Sequence, residues 1–423
     1  MARIENSKPQ TEHTMDALSF VIVGHVDHGK STLIGRLLYD TDSLPPDKIE
    51  EINKASNGLG RETEFAYLLD HLEEERKQGI TIDTTQVFFK TDKRRYVIID
   101  APGHVEFVRN MITGASQAEA AVLIVDVAEG VQEQTKRHSY MLSLLGLRQV
   151  IIVLNKMDLV EYSQERFSAL QREVAAWLDS IGIKTDCYIP ISAMRGHNIT
   201  ARSEQMPWYK GPTFLESLDT LKNRPPIEDR ALLFPVQDIY KVDDKRINVG
   251  RVEAGILDAD AEVMLLPSRQ KTRVKSIEKF LAAPTRAFAG ECIGITTTDS
   301  VFLDRGNVVC LPGHEPMLTD SFDASIFWMS AVPGSKGEKL VLRCATQETP
   351  CRIETIHRKI DSSNLKVLAE DAEDIHNLEV AEVTIRTKKP VAIKDFNDVQ
   401  EMGRFVLVRS ENTCAGGIIT LAK

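Results

Sequence analysis

The chain has 423 residues, of which 42% are hydrophobic and 27% are charged, and its formal net charge is −10. This length predicts two or three domains, each large enough to bury its own core. The composition excludes a wholly disordered or collagen-like chain, and no run approaches the ~18 apolar residues of a membrane span. The acidic balance argues against broad, non-specific binding of nucleic acid.

Residues 1–16 are polar and mixed in charge, and they lack the apolar stretch of a secretory signal. We expect them to form a disordered tail. The six cysteines are scattered, and no two have the C-x-x-C spacing of a structural zinc site. Such cysteines are typical of buried free thiols in a reducing compartment, so we expect a cytoplasmic protein.

Between residues 17 and 224, continuous apolar runs alternate with segments of helical period. The runs are rich in Val and Ile: Phe20–Val23, Tyr96–Ile99, Ala120–Val127, Val150–Leu154 and Tyr188–Ile191. Between them, Ser31–Tyr39 and Phe167–Ile181 carry apolar residues at steps of three and four. This pattern predicts an α/β domain, with a doubly wound, mainly parallel sheet that helices cover on both faces.

The pattern changes after a polar, proline-rich segment at 222–226. Short β-branched segments bounded by turn residues follow, and they are typical of all-β barrels. A turn-rich stretch, Pro312–Phe322, separates two such sets. We therefore predict an α/β domain over 17–224, a β-barrel domain over 225–318 and a second β-barrel domain over 319–423.

The first motif that indicates chemistry follows the strand-like run Phe20–Val23. It has the form G-x-x-x-x-G-K-[ST], and a helix-like segment follows it. Glycines let the backbone amides of such a loop curl around a β-phosphate, and the helix N-terminus adds partial positive charge. Lys30 would reach the β- and γ-phosphates, and the Ser31 hydroxyl would ligate Mg²⁺. The predicted phosphate site consists of Gly24, His25, Val26, Asp27, His28, Gly29, Lys30, Ser31 and Thr32, with no evident chemistry at the two histidines.

Three further motifs stand at the ends of predicted strands. Asp100 follows Tyr96–Ile99, where the metal-holding carboxylate of an ATPase or GTPase belongs. In the motif Asn155-Lys156-Met157-Asp158, the Asp158 carboxylate can accept hydrogen bonds from both the ring N–H and the exocyclic amine of guanine, a donor pair that adenine lacks. Ser192-Ala193-Met194 can bring a backbone amide to the guanine oxygen. In this order, the motifs predict a GTPase that uses GTP and Mg²⁺.

Four segments together resemble the translation-factor class of GTPases: Gly24–Ser31, Arg76–Asp83, Asp100–His104 and Asn155–Asp158. The two trailing β domains are similar to that class as well. The resemblance implies that Mg²⁺ is held by Ser31, Thr81 and Asp100. It also implies catalytic roles for Lys30, Thr81 and His104, of which His104 would orient the attacking water. The segment Ala101, Pro102 and Gly103 would complete the contacts to the γ-phosphate.

Other segments resemble the GTP-binding large subunit of heterodimeric sulfate adenylyltransferase: Ser31–Thr41, Leu68–Asp70, Glu74–Arg76, Arg137–Ser139, Ser143–Gly146, Ala381–Thr387 and Gly403–Leu407. The resemblance implies a smaller catalytic partner subunit, in a heterodimer or a larger assembly. That partner would form adenosine 5′-phosphosulfate and pyrophosphate from ATP and sulfate, and this chain would couple GTP hydrolysis to the reaction. No membrane is expected as a partner, and a nucleic acid is expected only if the chain is an elongation factor instead.

Three positions, His25, His28 and Ala101, look more like those of an elongation factor. The segment Met206–Thr213 is also shared with the elongation factor 1α type. The alternative is therefore a GTPase similar to elongation factors 1α and Tu, which delivers aminoacyl-tRNA to the ribosome. The two functions share the nucleotide chemistry and differ in the partner.

The substitution Asp158→Asn tests the predicted base site. Asparagine cannot accept two N–H groups from guanine, whereas its amide can donate to the exocyclic oxygen that replaces the amine in xanthine. We expect the nucleotide preference to move from GTP towards xanthosine triphosphate in competition binding. Retained selectivity for GTP would remove Asp158 from base recognition.

Overall fold

The computed structural model describes residues 17–25, 27–44, 85–100, 118–185, 187–223, 227–242, 245–279 and 282–420. Several predictions lie outside the described residues: the tail 1–16, Val26, Thr81, Ala101, Pro102, Gly103 and His104. The described chain divides into two compact units. The first holds the residues up to 135 and 147–223, and the second holds 136–146 and 227–420. Within these ranges, no helix is long and apolar enough to span a bilayer.

A six-stranded sheet forms the centre of the first unit, in the order β2-β3-β1-β4-β5-β6. The strands are β1 Ala17–Gly24, β2 Thr85–Lys90, β3 Arg95–Asp100, β4 Ala120–Asp126, β5 Val150–Asn155 and β6 Tyr188–Pro190. All neighbouring strands are parallel except β2, which pairs antiparallel with β3 at one edge. Every residue of β4 and β5 is buried, as expected of a sheet covered on both faces. The predicted α/β fold is confirmed.

The described residues of the first unit also form helices α1 Lys30–Asp40, α3 Gln164–Ser180 and α4 Phe214–Thr220, whereas α2 Glu133–Leu144 belongs to the second unit from residue 136 onwards. Helix α3 buries residues at helical spacing, from Phe167 through Leu170 and Val174 to Leu178. Its N-terminus is capped by Ser163, whose hydroxyl accepts from the amide of Arg166. Helix α4 begins with a capping box between Thr213 and Glu216.

A closed barrel follows in the second unit, with the strand order β10-β11-β13-β8-β7-β14. The strands of this region are β7 Leu233–Val242, β8 Lys245–Arg251, β9 Ile256–Asp258, β10 Glu262–Leu266, β11 Gln270–Glu278, β12 Arg286–Phe288, β13 Cys292–Thr297 and β14 Val308–Cys310. Strands β9 and β12 form a separate two-stranded sheet. Closure leaves the main barrel without an open sheet edge.

The remaining strands form a second barrel-like sheet in the order β17-β22-β23-β15-β21-β18-β19. Because β17 also pairs with β18, six of these strands close into a ring, and β19 lies outside it. The strands are β15 Met317–Trp328, β16 Gly334–Ser335, β17 Lys339–Cys344, β18 Gln347–Asp361, β19 Val367–Ala372, β20 Asp374–Ile375, β21 Glu379–Ile393, β22 Arg404–Arg409 and β23 Asn412–Ile419. A short helix, α5 Gln400–Gly403, precedes β22. The two predicted all-β barrels are confirmed.

An apolar layer joins the two barrels within the second unit. The first barrel contributes Leu233, Leu266, Val308 and Cys310, and the second contributes Ala392, Val399 and Met402. Each of these side chains is buried. Burial of this surface stabilises the pairing of the barrels at roughly 25 cal/mol for each Å² of apolar area removed from water.

Candidate functional site

The carboxyl ends of strands β1, β3, β4 and β5 lie side by side along one edge of the six-stranded sheet, the edge at which these strands end. The register places Ile22 beside Asp100 and Asp126 beside Asn155. Since the carboxyl ends of parallel strands lie at the same edge, motifs far apart in the sequence are brought together there. This edge is the position at which open α/β sheets bind ligands.

Gly29 closes the predicted phosphate loop and begins α1. Its φ of 92° is left-handed, a conformation that favours glycine. A Cβ at this position would lie 2.3 Å from Nδ2 of Asn155. Both the backbone conformation and the available space therefore require glycine.

The side chain of Lys30 turns back into the loop. Its Nζ donates to the carbonyl oxygens of Gly24 and His25, each at 2.9 Å. Burial lowers the pKa of Lys30, whereas the charges of Asp100 and Asp27 act in the opposite direction. The ammonium group is thus held in the loop and partly desolvated, an arrangement that a phosphate would stabilise.

Two of the predicted magnesium ligands, Ser31 and Asp100, lie in the described residues and have the oxygen donors that this ion prefers. Ser31 lies in the first turn of α1, and the charge of Asp100 at the end of β3 acts on Lys30 from close range. A hydroxyl and a carboxylate are the kind of hard ligand that Mg²⁺ takes alongside phosphate oxygens. Thr81, the third ligand that the resemblance implies, lies outside the described residues.

Asn155 joins the phosphate loop to the predicted base-binding loop. Its Nδ2 donates to the carbonyl of His28 at 2.9 Å, and its Oδ1 accepts from the amide of Ala193 at 3.0 Å. The residue is buried, so these bonds replace water on both sides of the amide. Asn155, which was predicted to contact the nucleotide, therefore links the phosphate loop to the loop that carries Ala193.

The residues that follow Asn155 form a short 3₁₀ helix, Met157–Val160, which carries Asp158. Met157 is fully buried, and its amide donates to the carbonyl of Ile191 at 3.1 Å. The neighbouring Lys156 has a left-handed φ of 64°, and its Nζ lies 2.7 Å from Oδ2 of Asp126. Met194, which follows the buried Ser192 and Ala193, is exposed. The structure thus brings the base motifs to the same sheet edge as the phosphate loop.

His28 ties the phosphate loop to the end of β4. Its ring is completely buried, and Nδ1 lies 3.2 Å from the amide nitrogen of Asp126. Nε2 lies 3.3 Å from Oε2 of Glu129. Nδ1 also lies 3.4 Å from the carbonyl oxygen of Ile124, so this atom accepts from Asp126 in one neutral tautomer and donates to Ile124 in the other. Burial lowers the pKa of His28, although the Ile124 carbonyl acts in the opposite direction.

Asp126 connects His28 with the turn that follows β4, and sequence analysis did not single it out. Its carboxylate accepts from the amides of Ala128 and Glu129 and pairs with Lys156. Burial disfavours the ionised carboxylate, but the hydrogen bonds from Lys156 and Ala128 lower the pKa of Asp126 overall. The signal was present, since Asp126 ends an apolar strand as Asp100 does.

Arg166 holds the same segment from helix α3. Its Nε donates to the carbonyl of Val127 at 2.8 Å, and an Nη donates to that of Ala128 at 3.1 Å. The turn that contacts His28 is therefore fixed on one side by Asp126 and on the other by α3. No local sequence pattern predicts this contact, because it joins residues 38 and 39 positions apart.

The substitution Gly29→Ala tests the close approach of the loop to Asn155. We expect nucleotide affinity to fall at least about tenfold, because left-handed alanine costs ~1–2 kcal/mol and its Cβ would displace the Asn155 amide. The measurement is a fluorescent-nucleotide titration. Gly182→Ala is the matched control, since Gly182 also has a positive φ of 73° but no atom lies within 4 Å of an added Cβ. Equal losses in both variants would contradict the steric argument.

The substitution His28→Gln tests the buried histidine. The pKa of His28 is lowered in the folded chain, so its neutral ring stabilises the fold above the unfolded pKa of about 6.5. That contribution is lost as the pH falls from 6.5 through the folded pKa. We expect the difference in free energy of unfolding between wild type and variant to shrink as the pH falls from 7.5 to 5.5. A difference independent of pH, measured by urea unfolding, would show that His28 does not titrate in this way.

Comparison with known proteins agrees with this geometry. The family model for the elongation factor Tu GTP binding domain matches residues 15–226. The model for the GTP-eEF1A C-terminal domain-like family matches residues 321–420. The two matches correspond to the α/β unit and to the second barrel.

Full-length relatives point in the same direction. Elongation factor 1-alpha of Archaeoglobus fulgidus is 38% identical over 409 residues, which are 95% of this chain and 97% of that protein. Elongation factor 1-alpha of Pyrococcus furiosus is 37% identical over 415 residues, 95% of this chain and 96% of that protein. The bifunctional enzyme NodQ of Rhizobium meliloti is 35% identical over 404 residues, 94% of this chain but 63% of NodQ. The chain belongs to the translation-factor class of GTPases, the family of elongation factors Tu and 1-alpha.

Proposed function

We propose that this GTPase is the regulatory subunit of a cytoplasmic sulfate adenylyltransferase that consists of two kinds of subunit. The observation that carries the proposal is the resemblance of segments in the α/β domain and in the last domain to the large subunit of that enzyme, beginning with Ser31–Thr41 directly after the phosphate loop. The similarity to NodQ, which extends over 94% of the chain, is compatible with a role outside translation.

The proposed division of labour follows from the chemistry. On the partner subunit, a sulfate oxygen attacks the α-phosphorus of ATP, and pyrophosphate leaves. The resulting sulfate–phosphate anhydride is high in energy, so the reaction is uphill. On this chain, water attacks the γ-phosphorus of GTP, and GDP and phosphate are released. The switch segments around Thr81 and His104 would couple the second reaction to the first.

The residues of this chain have distinct roles in hydrolysis. Lys30 would neutralise the β- and γ-phosphates, Asp158 would hold guanine, and His104 would orient the attacking water. Mg²⁺, held by Ser31, Thr81 and Asp100, would balance charge on the phosphate oxygens. The loop is held at His28, whose carbonyl accepts from Asn155 and whose ring contacts the amide of Asp126.

Charge pairing on part of the last domain counts against RNA binding at that surface. Four basic side chains of β18 and β21 lie beside carboxylates: Arg352 with Glu354 at 3.2 Å, Arg386 with Glu354 at 2.9 Å, Lys359 with Asp374 at 2.9 Å, and Arg358 with Glu382. An RNA phosphate would have to compete with these carboxylates for each cation. Binding of RNA draws its free energy mainly from phosphate contacts and counterion release, which such a surface disfavours.

A second candidate is an elongation factor that carries aminoacyl-tRNA. The specific observation in its favour is the 38% identity to elongation factor 1-alpha of Archaeoglobus fulgidus, along almost the whole of both chains. Its complex with tRNA should weaken steeply as salt concentration rises, because counterions return to the RNA. A complex with a protein partner held by apolar contacts should be much less sensitive to salt.

The two candidates are separated by recovering the partner. The chain is used to capture partners from its native extract in buffers with a GTP analogue or GDP, and bound protein and RNA are identified. The complex is then assayed for pyrophosphate release that requires both ATP and sulfate. We expect a smaller protein partner and a release rate that GTP increases. Aminoacyl-tRNA retained only with the GTP analogue, without sulfate-dependent release, would establish the elongation-factor role instead.

The variant Asp158→Asn provides a matched control for coupling. If GTP acts through this chain, the complex of the variant should respond to xanthosine triphosphate and lose its response to GTP. A variant complex that still responds to GTP would show that the stimulation comes from another protein in the preparation.

A further inference from the structure

Two consecutive residues have strained backbones next to the short helix that carries Asp158, the predicted guanine-binding residue. Glu161 and Tyr162 follow the 3₁₀ helix Met157–Val160, and their φ values are 51° and 58°. Residues other than glycine adopt this left-handed conformation at a cost of roughly 1–2 kcal/mol each. Such strain persists only where surrounding contacts hold it in place, and it concentrates at functional sites.

Two hydrogen bonds hold Tyr162 in this conformation. Its amide donates to the carbonyl of Met157 at 2.9 Å, which closes the turn behind Asp158. Its carbonyl accepts from Nε1 of Trp208 at 3.0 Å. The indole lies 46 positions along the chain, so it fixes the turn from outside.

The segment that carries Trp208 is itself rigidly anchored. The indole packs on the buried ring of Phe167 in α3, with 5.2 Å between ring centroids. Before it, Met206 is buried, with its sulfur 3.8 Å from Nδ2 of Asn198. After it, Thr213 begins α4 with a capping box. The position of the Trp208 indole is therefore set by contacts other than its hydrogen bond to the Tyr162 carbonyl.

The ring of Tyr162 extends the connection to the second base-binding loop. It lies against the ring of His197, with 5.3 Å between centroids. His197 closes the loop that begins at Ser192, through backbone hydrogen bonds in both directions between the two residues. That loop carries Ala193, whose amide donates to Asn155. Burial raises the pKa of Tyr162, and the negative charge of Asp158 raises it further.

We propose that Trp208 and Tyr162 are positioning residues for guanine recognition. The indole N–H fixes the turn that carries Asp158, and the Tyr162 ring on His197 ties this turn to the loop that carries Ala193. Neither residue needs to touch the nucleotide. The inference rests on GTP binding by this chain. It adds two residues that hold the Asp158 turn and the Ala193 loop in a fixed relative position.

The test compares GTP with inosine triphosphate, whose base lacks the exocyclic amine of guanine. A misplaced Asp158 costs GTP two hydrogen bonds and inosine triphosphate one, so the ratio of the two affinities reports the position of the carboxylate. Trp208→Phe keeps the packing on Phe167 and removes the N–H. We expect it to lower the preference for GTP by between about twofold and tenfold, the value of one net hydrogen bond.

Further variants separate positioning from stability. Tyr162→Phe keeps the ring on His197 and should bind both nucleotides as wild type does, whereas Tyr162→Ala should lower the preference for GTP. Trp177→Phe, on the same helix as Phe167 but ten residues further along, controls for the loss of an indole. Thermal unfolding of each variant identifies any general loss of stability, which would lower both affinities in parallel.

The outcomes are distinct. An unchanged affinity ratio in Trp208→Phe, with a wild-type protein that prefers GTP, would overturn the positioning role and leave GTP binding intact. A wild-type protein without preference for GTP over inosine triphosphate would overturn both this inference and the assigned base site. A lowered ratio in Trp208→Phe and Tyr162→Ala, with wild-type ratios in Tyr162→Phe and Trp177→Phe, supports the inference.

Discussion

The side-chain amide of Asn155 is the contact on which the rest of the nucleotide site depends. It spans the distance from the phosphate loop at His28 to the base loop at Ala193, and it is buried between them. In a low-dielectric interior, an amide with both partners stabilises strongly, and loss of either partner leaves an unsatisfied polar group. The requirement for glycine at position 29 follows directly, because the Asn155 amide occupies the space that a Cβ would need.

Around this contact, two outer sets of residues fix the two halves of the site. His28, Asp126 and Arg166 hold the phosphate side, whereas Trp208, Tyr162 and His197 hold the base side. Precision in the contact residues therefore depends on side chains that need not meet the ligand. A site fixed in this way can keep its nucleotide chemistry while the outer surfaces of the protein come to serve different partners.

Much of the architecture could be predicted from the sequence, because periodicity and strand-end motifs are local signals. Continuous apolar runs such as Val150–Leu154 predicted buried parallel strands, and Asp100 and Asp158 were found from their places after such strands. The strand Thr85–Lys90 was missed because its apolar run is only three residues long, Val87–Phe89, and polar residues flank it on both sides. His28 was assigned no role because its partners, Asp126 and Glu129, lie about a hundred positions away. Trp208 was missed for the same reason, and the roles of Thr81 and His104 stay predictions.

The apolar layer between the barrels has a thermodynamic consequence. Met402 and Val399 from one barrel share a buried cluster with Leu233 and Leu266 from the other. Neither barrel can open without exposing part of the other, so their stabilities are coupled. Although the sequence indicates two separate barrel domains, the two barrels should therefore unfold together as one cooperative unit. Opening either barrel at this layer would also require the free energy needed to separate it from the other barrel.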